Sequence, residues 1–311
     1  TKFEFHHMKE VGKIWMNGKL VPFKNAKVHV LTHALHYSTA VFEGIRCYNT
    51  PDGSAIFRLP EHVDRFFNSA KLYGMKMRYT KKKIIDAIIK TVKVSGLKEC
   101  YIRPIAYYGY GTMGLTPTLN KVDVAIACWE WKMGESKAGK FSGAKCKISD
   151  WIRIDSKSQP MLAKAASNYA NAALARVDAL KSGYDEAIML NNKRNVAEGS
   201  AENIFIVKNG IIKTPPLAAD ILNGITRDSV IQLIKADGIK LIEKNITVKE
   251  LLKADEVFMT GTAAEVKSVT KINKTSIGDG KRGMITKTLQ KSFMDVVMGK
   301  NEKFISWLRY I

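Results

Sequence analysis

The stretch Met161-Leu162-Ala163-Lys164-Ala165-Ala166-Ser167-Asn168-Tyr169 sets a single lysine among small apolar residues. An Ala-rich helical pattern follows it through Ala170, Ala173, Leu174, Val177 and Leu180. Lysine is abundant in this chain and normally occupies solvated faces. A lysine hemmed in by Ala and Leu just before a helix is a different object. Burial disfavours an ammonium and leaves a nucleophilic amine. Such amines form Schiff bases with carbonyl compounds, pyridoxal phosphate among them. A lysine whose stem packs while its head reaches water fits the same pattern, so the choice rests on the rest of the chain.

Downstream of the lysine, 187–190, 203–207 and 211–214 read as a strand meander, with turns at Asn191–Asn195 and Lys208-Asn209-Gly210. Inside it Val196-Ala197-Glu198-Gly199-Ser200-Ala201-Glu202-Asn203 places Glu198 among small residues between strands, where a carboxylate needs a partner. Ile221-Leu222-Asn223-Gly224-Ile225-Thr226-Arg227 then leads into a helical pattern (Val230, Ile231, Leu233, Ile234). A glycine before a helix start offers backbone N–H groups and the positive end of a dipole, which suits phosphate, although it also marks any ordinary helix start. Val257–Glu265 is a strand running into a small, hydroxyl-bearing turn, and a C-terminal helix is predicted over 285–297.

Upstream, Ile14-Trp15-Met16 and Lys19-Leu20-Val21 flank Asn17-Gly18, a hairpin signal. Ala55–Leu59 reads as a strand. A helix is predicted from Pro60 to Leu72 with its stop at Gly74, and a second over Ile84–Val94 ended by Gly96. Tyr101–Tyr108 and Val122–Trp129 read as strands, so the first half is an α+β unit. Gly109-Tyr110-Gly111-Thr112-Met113-Gly114 matches G-x-G-x-x-G, but Pro117 interrupts the helix such a fingerprint must open, which excludes a dinucleotide-binding domain. His33 and His36 have no carboxylate or cysteine at a zinc spacing and read as structural; no metal site is expected.

With 311 residues, 46% hydrophobic and 25% charged, the chain is long enough for two domains with ordinary globular cores. No apolar run approaches the roughly 20 residues of a membrane helix, and no membrane partner is expected. Cys47, Cys100, Cys128 and Cys146 form no Cys-x-x-Cys pair and fit a reducing, cytoplasmic compartment. The net charge of +21 raises nucleic-acid binding as one reading. The basic residues are spread over the whole chain, however, with one run at Lys81-Lys82-Lys83 and no recognised nucleic-acid motif. A Lys-rich solvated surface is the expected meaning, with no nucleic-acid partner. Lys132–Lys140 is small, polar and aperiodic, and reads as an interdomain linker.

Taken together these segments resemble the class IV aminotransferases, the fold-type IV pyridoxal-phosphate enzymes, and most closely the branched-chain amino acid aminotransferases. The pieces that carry the resemblance are HALHYSTAVFEGIRCY (33–48), YIRP (101–104), AKAASNY (163–169), AEGSAENIF (197–205), NGITR (223–227) and TGTAAE (260–265). It runs from about Ile14 to near the C-terminus. The implied fold class is α/β (α+β): a small N-terminal α/β domain over 1–131, the linker at 132–140, and a larger C-terminal domain over 141–311 with a barrel-like sheet. The implied cofactor is pyridoxal 5'-phosphate, lying between the two, and the implied assembly is a homodimer or higher homo-oligomer.

By the same resemblance Lys164 holds the cofactor as a Schiff base and Glu198 faces its pyridine nitrogen. Tyr169 hydrogen-bonds the ring hydroxyl and Leu222 packs on the ring. Arg58, the helix start at Ile225 and Thr226, and Thr262 hold the phosphate. The substrate carboxylate meets the Thr262-Ala263 backbone with Tyr101. Tyr37, Phe42, Gly44 and Trp131 wall the side-chain pocket, and Arg103 receives the distal carboxylate of glutamate. The implied reaction is a reversible ping-pong transfer of an amino group between L-leucine, isoleucine or valine and 2-oxoglutarate. Physics agrees with these roles: a carboxylate stabilises a protonated pyridine nitrogen, an Arg fork and N–H donors suit phosphate, and a freed amine beside Cα suits proton transfer.

The chain departs from the resemblance at Lys132, which follows Trp131 where a glycine is common, and in having no tyrosine between Trp131 and Tyr169. It also lacks the Cys-x-x-Cys pair of the animal enzymes and so looks like the microbial type. A D-amino acid aminotransferase or an aminodeoxychorismate lyase of the same fold is the alternative, against which YIRP and the 33–48 stretch favour the branched-chain type. A basic nucleic-acid-binding protein keeping an enzyme-like fold is the alternative of another class.

Overall fold

The structure, a computed structural model, describes residues 10–131 and 143–311; the predicted linker at 132–140 lies outside them. The chain divides into two compact units. One comprises Thr1–Met133, Ala163–Ser167 and Val296–Ile311, the other Gly134–Leu162 and Asn168–Asp295. The sequence boundaries put everything after residue 141 together. Instead the lysine segment and the C-terminus fall with the first unit, and hydrogen bonds explain both. Lys164 N donates to Ser69 Oγ at 2.9 Å and Phe42 N donates to Lys164 O at 2.9 Å, while the C-terminal strand Leu308–Tyr310 pairs with Ala55–Phe57.

In the first unit β1 (Lys13–Met16), β2 (Lys19–Pro22), β3 (Ala40–Phe42), β4 (Ile45–Thr50), β5 (Gly53–Phe57), β6 (Cys100–Tyr108) and β7 (Val122–Glu130) build, with the C-terminal strand, an 8-stranded antiparallel sheet. Helices α1 (His33–Tyr37), α2 (Leu59–Leu72) and α3 (Lys81–Ser95) belong to the same unit. A side-chain period of two gives β6 and β7 two distinct faces. Cys100, Ile102, Ala106, Val124, Ile126 and Cys128 join the core under Leu59, Val63, Phe66, Ala70, Ile84, Ala87, Ile88 and Val92 of α2 and α3. Each fully buried large side chain here contributes about 2 kcal/mol. Tyr101, Arg103, Tyr107 and Trp129 are left on the opposite face.

Two boundaries differ from expectation. β5 ends at Phe57, and Arg58 leaves the strand in the left-handed region (φ 48°) as the N-cap of α2. Helix α3 starts three residues before Ile84 because Thr80 caps it, its hydroxyl accepting from Lys83 N at 3.2 Å. Lys81–Lys83 therefore form its first turn. The Gly109–Gly114 stretch is a loop, pinned by Asn120, whose amide donates to the carbonyls of Gly109 and Thr112.

The second unit is built on a 10-stranded mixed sheet that curls into a half-barrel. Its strands are β8 (Ala144–Ile148), β9 (Glu186–Leu190), β10 (Asn195–Gly199), β11 (Asn203–Lys208), β12 (Ile211–Thr214), β13 (Leu241–Glu243), β14 (Ile246–Thr247), β15 (Glu256–Gly261), β16 (Glu265–Ile272) and β17 (Thr275–Ser276). The β8–β9, β8–β16 and β12–β13 pairs are parallel and the others antiparallel. The predicted helices are α4 (Ala166–Lys181), α5 (Ile225–Ala236) and α7 (Met284–Val297), with a short α6 (Val248–Leu252) between the last two. Ile188, Leu190, Val196, Ile204, Ile206, Val257 and Met259 form the apolar core of the sheet.

Candidate active site

Within the first unit, Lys164 is half-buried between Ala163 and Ala165, both in the core. Its segment runs beside β3, with Ala165 bridged to Val41, and its Nζ lies 5.2 Å from the centroid of the Phe42 ring. The alternation that buries Val41 turns Phe42 away from the helices, toward the face of β6 that carries Tyr101 and Arg103. The Arg103 guanidinium lies 4.7 Å from the Phe42 centroid, 5.4 Å from that of Tyr101 and 5.7 Å from that of Trp129. Its Nε is buried and donates to no partner among the described residues. Tyr101 stacks on Trp129 at 5.0 Å and meets Trp131 at 5.5 Å. Gly44 is required here: a Cβ at that position would run into the Tyr101 hydroxyl and lie 2.8 Å from its Cζ. Phe42, Gly44, Tyr101, Arg103, Trp131 and Lys164 thus form one linked cluster.

Glu43, between two members of that cluster, is fully buried. Arg65 grips it with two hydrogen bonds (Nε to Oε1 2.6 Å, the terminal nitrogen to Oε2 2.9 Å), and His62 Nδ1 donates to Oε2 at 2.7 Å. Burial alone would raise this carboxyl; the facing Arg65 and His62 outweigh it and hold it well below the usual carboxylate range. Burial pushes the His62 imidazole down, Glu43 partly offsets this, and Arg65 and Lys164 oppose its protonation.

The remaining two predicted residues of this unit, Arg58 and Tyr37, have these contacts. Arg58 donates through Nε to Glu61 at 2.8 Å and lies 4.7 Å over the Trp307 ring. Tyr37 is largely exposed, its hydroxyl donating to Met113 O at 3.0 Å. His33, beside it, is fully buried between Thr39 Oγ1 and Gly114 O, as a structural histidine should be.

Within the second unit Glu198 is buried at β10, just after an irregularity between Val196 and Glu198 that re-aims the strand. Its Oε1 pairs with Arg153 at 2.8 Å, and its Oε2 accepts from Asn203 at 2.9 Å and from Leu222 N at 3.2 Å. The same Asn203 amide donates to Leu222 O at 2.9 Å, and a Cβ on Gly224 would run into its oxygen. Asn203 therefore ties the carboxylate to the start of α5. That helix has Gly224 as N-cap and no side-chain cap, so the amides of its first turn face outward with the positive dipole end. Asn203 also pairs with Thr260, at the end of the β15–β16 hairpin whose turn carries Thr262 and Ala263. Glu198, Leu222, Ile225, Thr226 and Thr262 thus gather at one end of the sheet. Tyr169 is half-buried in the first turns of α4.

Within the second unit, an uncapped helix start with a hydroxyl residue and a buried carboxylate held in one orientation suit a phosphorylated ring with a basic nitrogen; within the first, an amine set among apolar residues suits an aldehyde. Among the described residues no group of three or more His, Cys, Asp or Glu could hold a metal ion. Arg153, Glu43, His62 and Ser69 carry no sequence signal of their own; Trp129 does, through the strict alternation of β7. Arg153 reaches the carboxylate because its backbone N donates to Leu190 O at 2.8 Å, a contact no local pattern announces.

Three comparisons with known proteins place the chain in a family. A family model described as amino-transferase class IV matches residues 40–272. A branched-chain-amino-acid aminotransferase of Pseudomonas aeruginosa is 44% identical over 296 residues, covering 95% of this chain and 96% of that protein. The crystal structure of the T.th. branched-chain amino acid aminotransferase with pyridoxamine 5'-phosphate superposes with a TM-score of 0.95 at 43% identity, covering 98% of this chain and 99% of that one. The same enzyme complexed with N-(5'-phosphopyridoxyl)-L-glutamate gives a TM-score of 0.93 at 43% identity, with 98% and 99% covered.

Proposed function

The chain belongs to the class IV aminotransferase family, and from that premise we propose that it is a branched-chain amino acid aminotransferase using pyridoxal 5'-phosphate. It moves the amino group of L-leucine, isoleucine or valine to 2-oxoglutarate in a ping-pong cycle. The observation that carries the substrate assignment is that Lys164 and Arg103 lie over the same Phe42 ring. An apolar wall flanked by a guanidinium receives both an aliphatic side chain and, in the other half-reaction, the distal carboxylate of glutamate. The relative complexed with a phosphopyridoxyl-glutamate supports glutamate as the substrate of that second half-reaction.

When bound, the cofactor supplies the carbonyl that takes up the amino group and the ring that accepts the electron pair of Cα. The protein's own groups do the rest. Lys164 would hold the cofactor and, once displaced by the substrate amine, would carry the proton from Cα to the cofactor carbon as general base and then general acid. Glu198, oriented by Arg153 and Asn203, keeps the pyridine nitrogen protonated. Tyr169 and Leu222 hold the ring. Arg58, the amides of Ile225 and Thr226, and Thr262 hold the phosphate. Tyr101 and the Thr262-Ala263 backbone receive the substrate carboxylate, while Phe42, Gly44 and Trp131 wall the side chain.

We further propose a cytoplasmic homodimer. Segments 28–37 and 109–119 are knitted by the Thr32–Tyr110 bridge, yet leave Val30, Leu35, Tyr110, Leu115 and Leu119 exposed. Large apolar side chains left exposed on neighbouring segments suit an interface with a second copy. All four cysteines are buried free thiols, and no described helix is long and apolar enough to cross a membrane.

An absorbance spectrum of the purified protein, taken before and after adding L-leucine without any oxo acid, tests the reading. A yellow band that fades into that of the aminated cofactor is expected. A yellow protein that ignores L-leucine but responds to D-alanine would overturn the substrate, and one that stays colourless with added pyridoxal phosphate would overturn the enzyme. Light scattering at micromolar concentration checks the dimer.

A further inference from the structure

Helix α2 carries a polar stripe inside an otherwise apolar interface. His62, Arg65, Ser69 and, just past the helix end, Tyr73 are three or four residues apart and so lie along one side of the helix. Each has its partner in one of two segments. His62 and Arg65 hold the Glu43 carboxylate at 2.7 Å and 2.6 Å. Ser69, fully buried, accepts from the backbone N–H of Lys164 at 2.9 Å, and the Tyr73 hydroxyl meets Ser167 Oγ at 2.7 Å.

The stripe thus grips two things at once. Through Glu43 it holds the Phe42–Gly44 turn that supplies the wall of the cluster. Gly44 N also donates to Glu43 Oε2, at 3.2 Å. Through Ser69 it holds the backbone N–H of Lys164, and through Tyr73 the side-chain hydroxyl of Ser167 three residues on. A carboxylate with no exposure is costly unless every oxygen is paired, and apolar residues would pack as well or better in its place. What the ionic cluster adds is a fixed rotamer and register: charge-assisted bonds from two residues of one helix leave Glu43 no alternative position. A displacement of about 1 Å in a reacting group can cost about a hundredfold in rate.

We propose that this stripe is the jig that sets the Lys164 amine against the Phe42 wall, with Glu43 and Ser69 as positioning residues for transamination. The proposal rests on the reading of Lys164 as the reacting amine.

The test combines Ser69→Ala and Glu43→Gln with three measurements: the single-turnover rate and apparent affinity for L-leucine of the cofactor-loaded enzyme, hydrogen exchange of the amides at 163–167 in cofactor-free and loaded protein, and the thermal midpoint. For Ser69→Ala the turnover rate is expected to fall about tenfold with leucine affinity within twofold. Exchange at 163–167 should rise at least tenfold in both forms, with the midpoint near that of the parent. For Glu43→Gln both rate and affinity should fall, because the wall moves as well. Ser69→Ala leaves no charge unpaired, so it decides the matter if Glu43→Gln does not fold. Faster exchange with an unchanged rate would overturn the proposal, as would a lost rate with unchanged exchange. A parent enzyme with no L-leucine half-reaction would instead overturn the reading on which it rests.

Discussion

Lys164 and Arg103 address one ring: the Lys164 Nζ is 5.2 Å and the Arg103 guanidinium 4.7 Å from the centroid of Phe42. The ring gives the guanidinium a partner worth about 1 kcal/mol and offers a substrate an apolar surface between two nitrogen groups of different purpose. Arg103 has a buried Nε with no partner among the described residues, which a carboxylate would satisfy. Arg103→Ala is therefore expected to raise the KM for 2-oxoglutarate about 10- to 100-fold, as for a lost charged hydrogen bond of roughly 1.5–3 kcal/mol. The KM for L-leucine should change by about threefold or less. Steady-state kinetics with each substrate varied in turn measures the ratio; equal losses would remove Arg103 from distal-carboxylate recognition.

Lys164→Ala keeps the backbone bonds to Ser69 and Phe42, since neither uses the side chain. The variant should fold with a thermal midpoint within a few degrees of the parent. Its turnover should drop by about 10³-fold or more, the scale of a lost proton-transfer group. Mass spectrometry after borohydride reduction should find no cofactor adduct on the 161–181 region. Retained turnover at the parental rate would sink the assignment.

Gly44 is the tightest point of the wall. A methyl there lies 2.8 Å from Tyr101 Cζ, and Tyr101 is backed by Trp129 at 5.0 Å, so it has little room to yield. Gly44→Ala should cost about 1–3 kcal/mol of stability, as overpacking does, and raise the KM for leucine more than that for smaller substrates such as 2-aminobutyrate. A denaturation curve and a substrate series check both halves. An unchanged KM series would show that Tyr101 moves freely.

Much of this arrangement is legible in the amino-acid string, and the part that is not has a physical reason. Period-two alternation announces β6 and places Tyr101 and Arg103 on a common face. NGITR announces a helix start, because Gly precedes a run with helical periodicity. Arg153 and Glu43 are invisible by the same rules. Arg153 is 45 positions from Glu198 and reaches it only after Arg153 N pairs with Leu190 O. Glu43 is a lone acid at a strand end, and its partners come from a helix whose apolar pattern hides a polar stripe. The left-handed Arg58 escapes for a similar reason: nothing in Ile56-Phe57-Arg58-Leu59 interrupts the strand reading, and the turn is imposed by the Arg58 N–H bond to Trp307 O at 2.7 Å, far along the chain.

The buried Glu43–His62–Arg65 cluster makes stability depend on pH in one direction. Unfolded, His62 takes up a proton below about 6.5, whereas burial keeps the native imidazole from doing so. The unfolded state then binds more protons, and native stability falls as pH drops through 6.5. Glu43 acts likewise lower down. Its carboxyl titrates at 4.5 when unfolded but stays ionised far below that in the fold. Its contribution is complete above that value and is lost as the pH falls further. Thermal midpoints measured at intervals from pH 8 to 4 should therefore decline from about 6.5 downward, by at most about 1.4 kcal/mol per pH unit for one proton. His62→Gln keeps a donor toward Glu43 and removes the titrating ring. The variant is expected to show a flatter profile between pH 6.5 and 5, while the Glu43 contribution to the acid limb below 4.5 persists. If its acid limb were as steep as the parent's across the upper window, the native imidazole would have to be protonated there, and the charge balance argued for the cluster would be wrong.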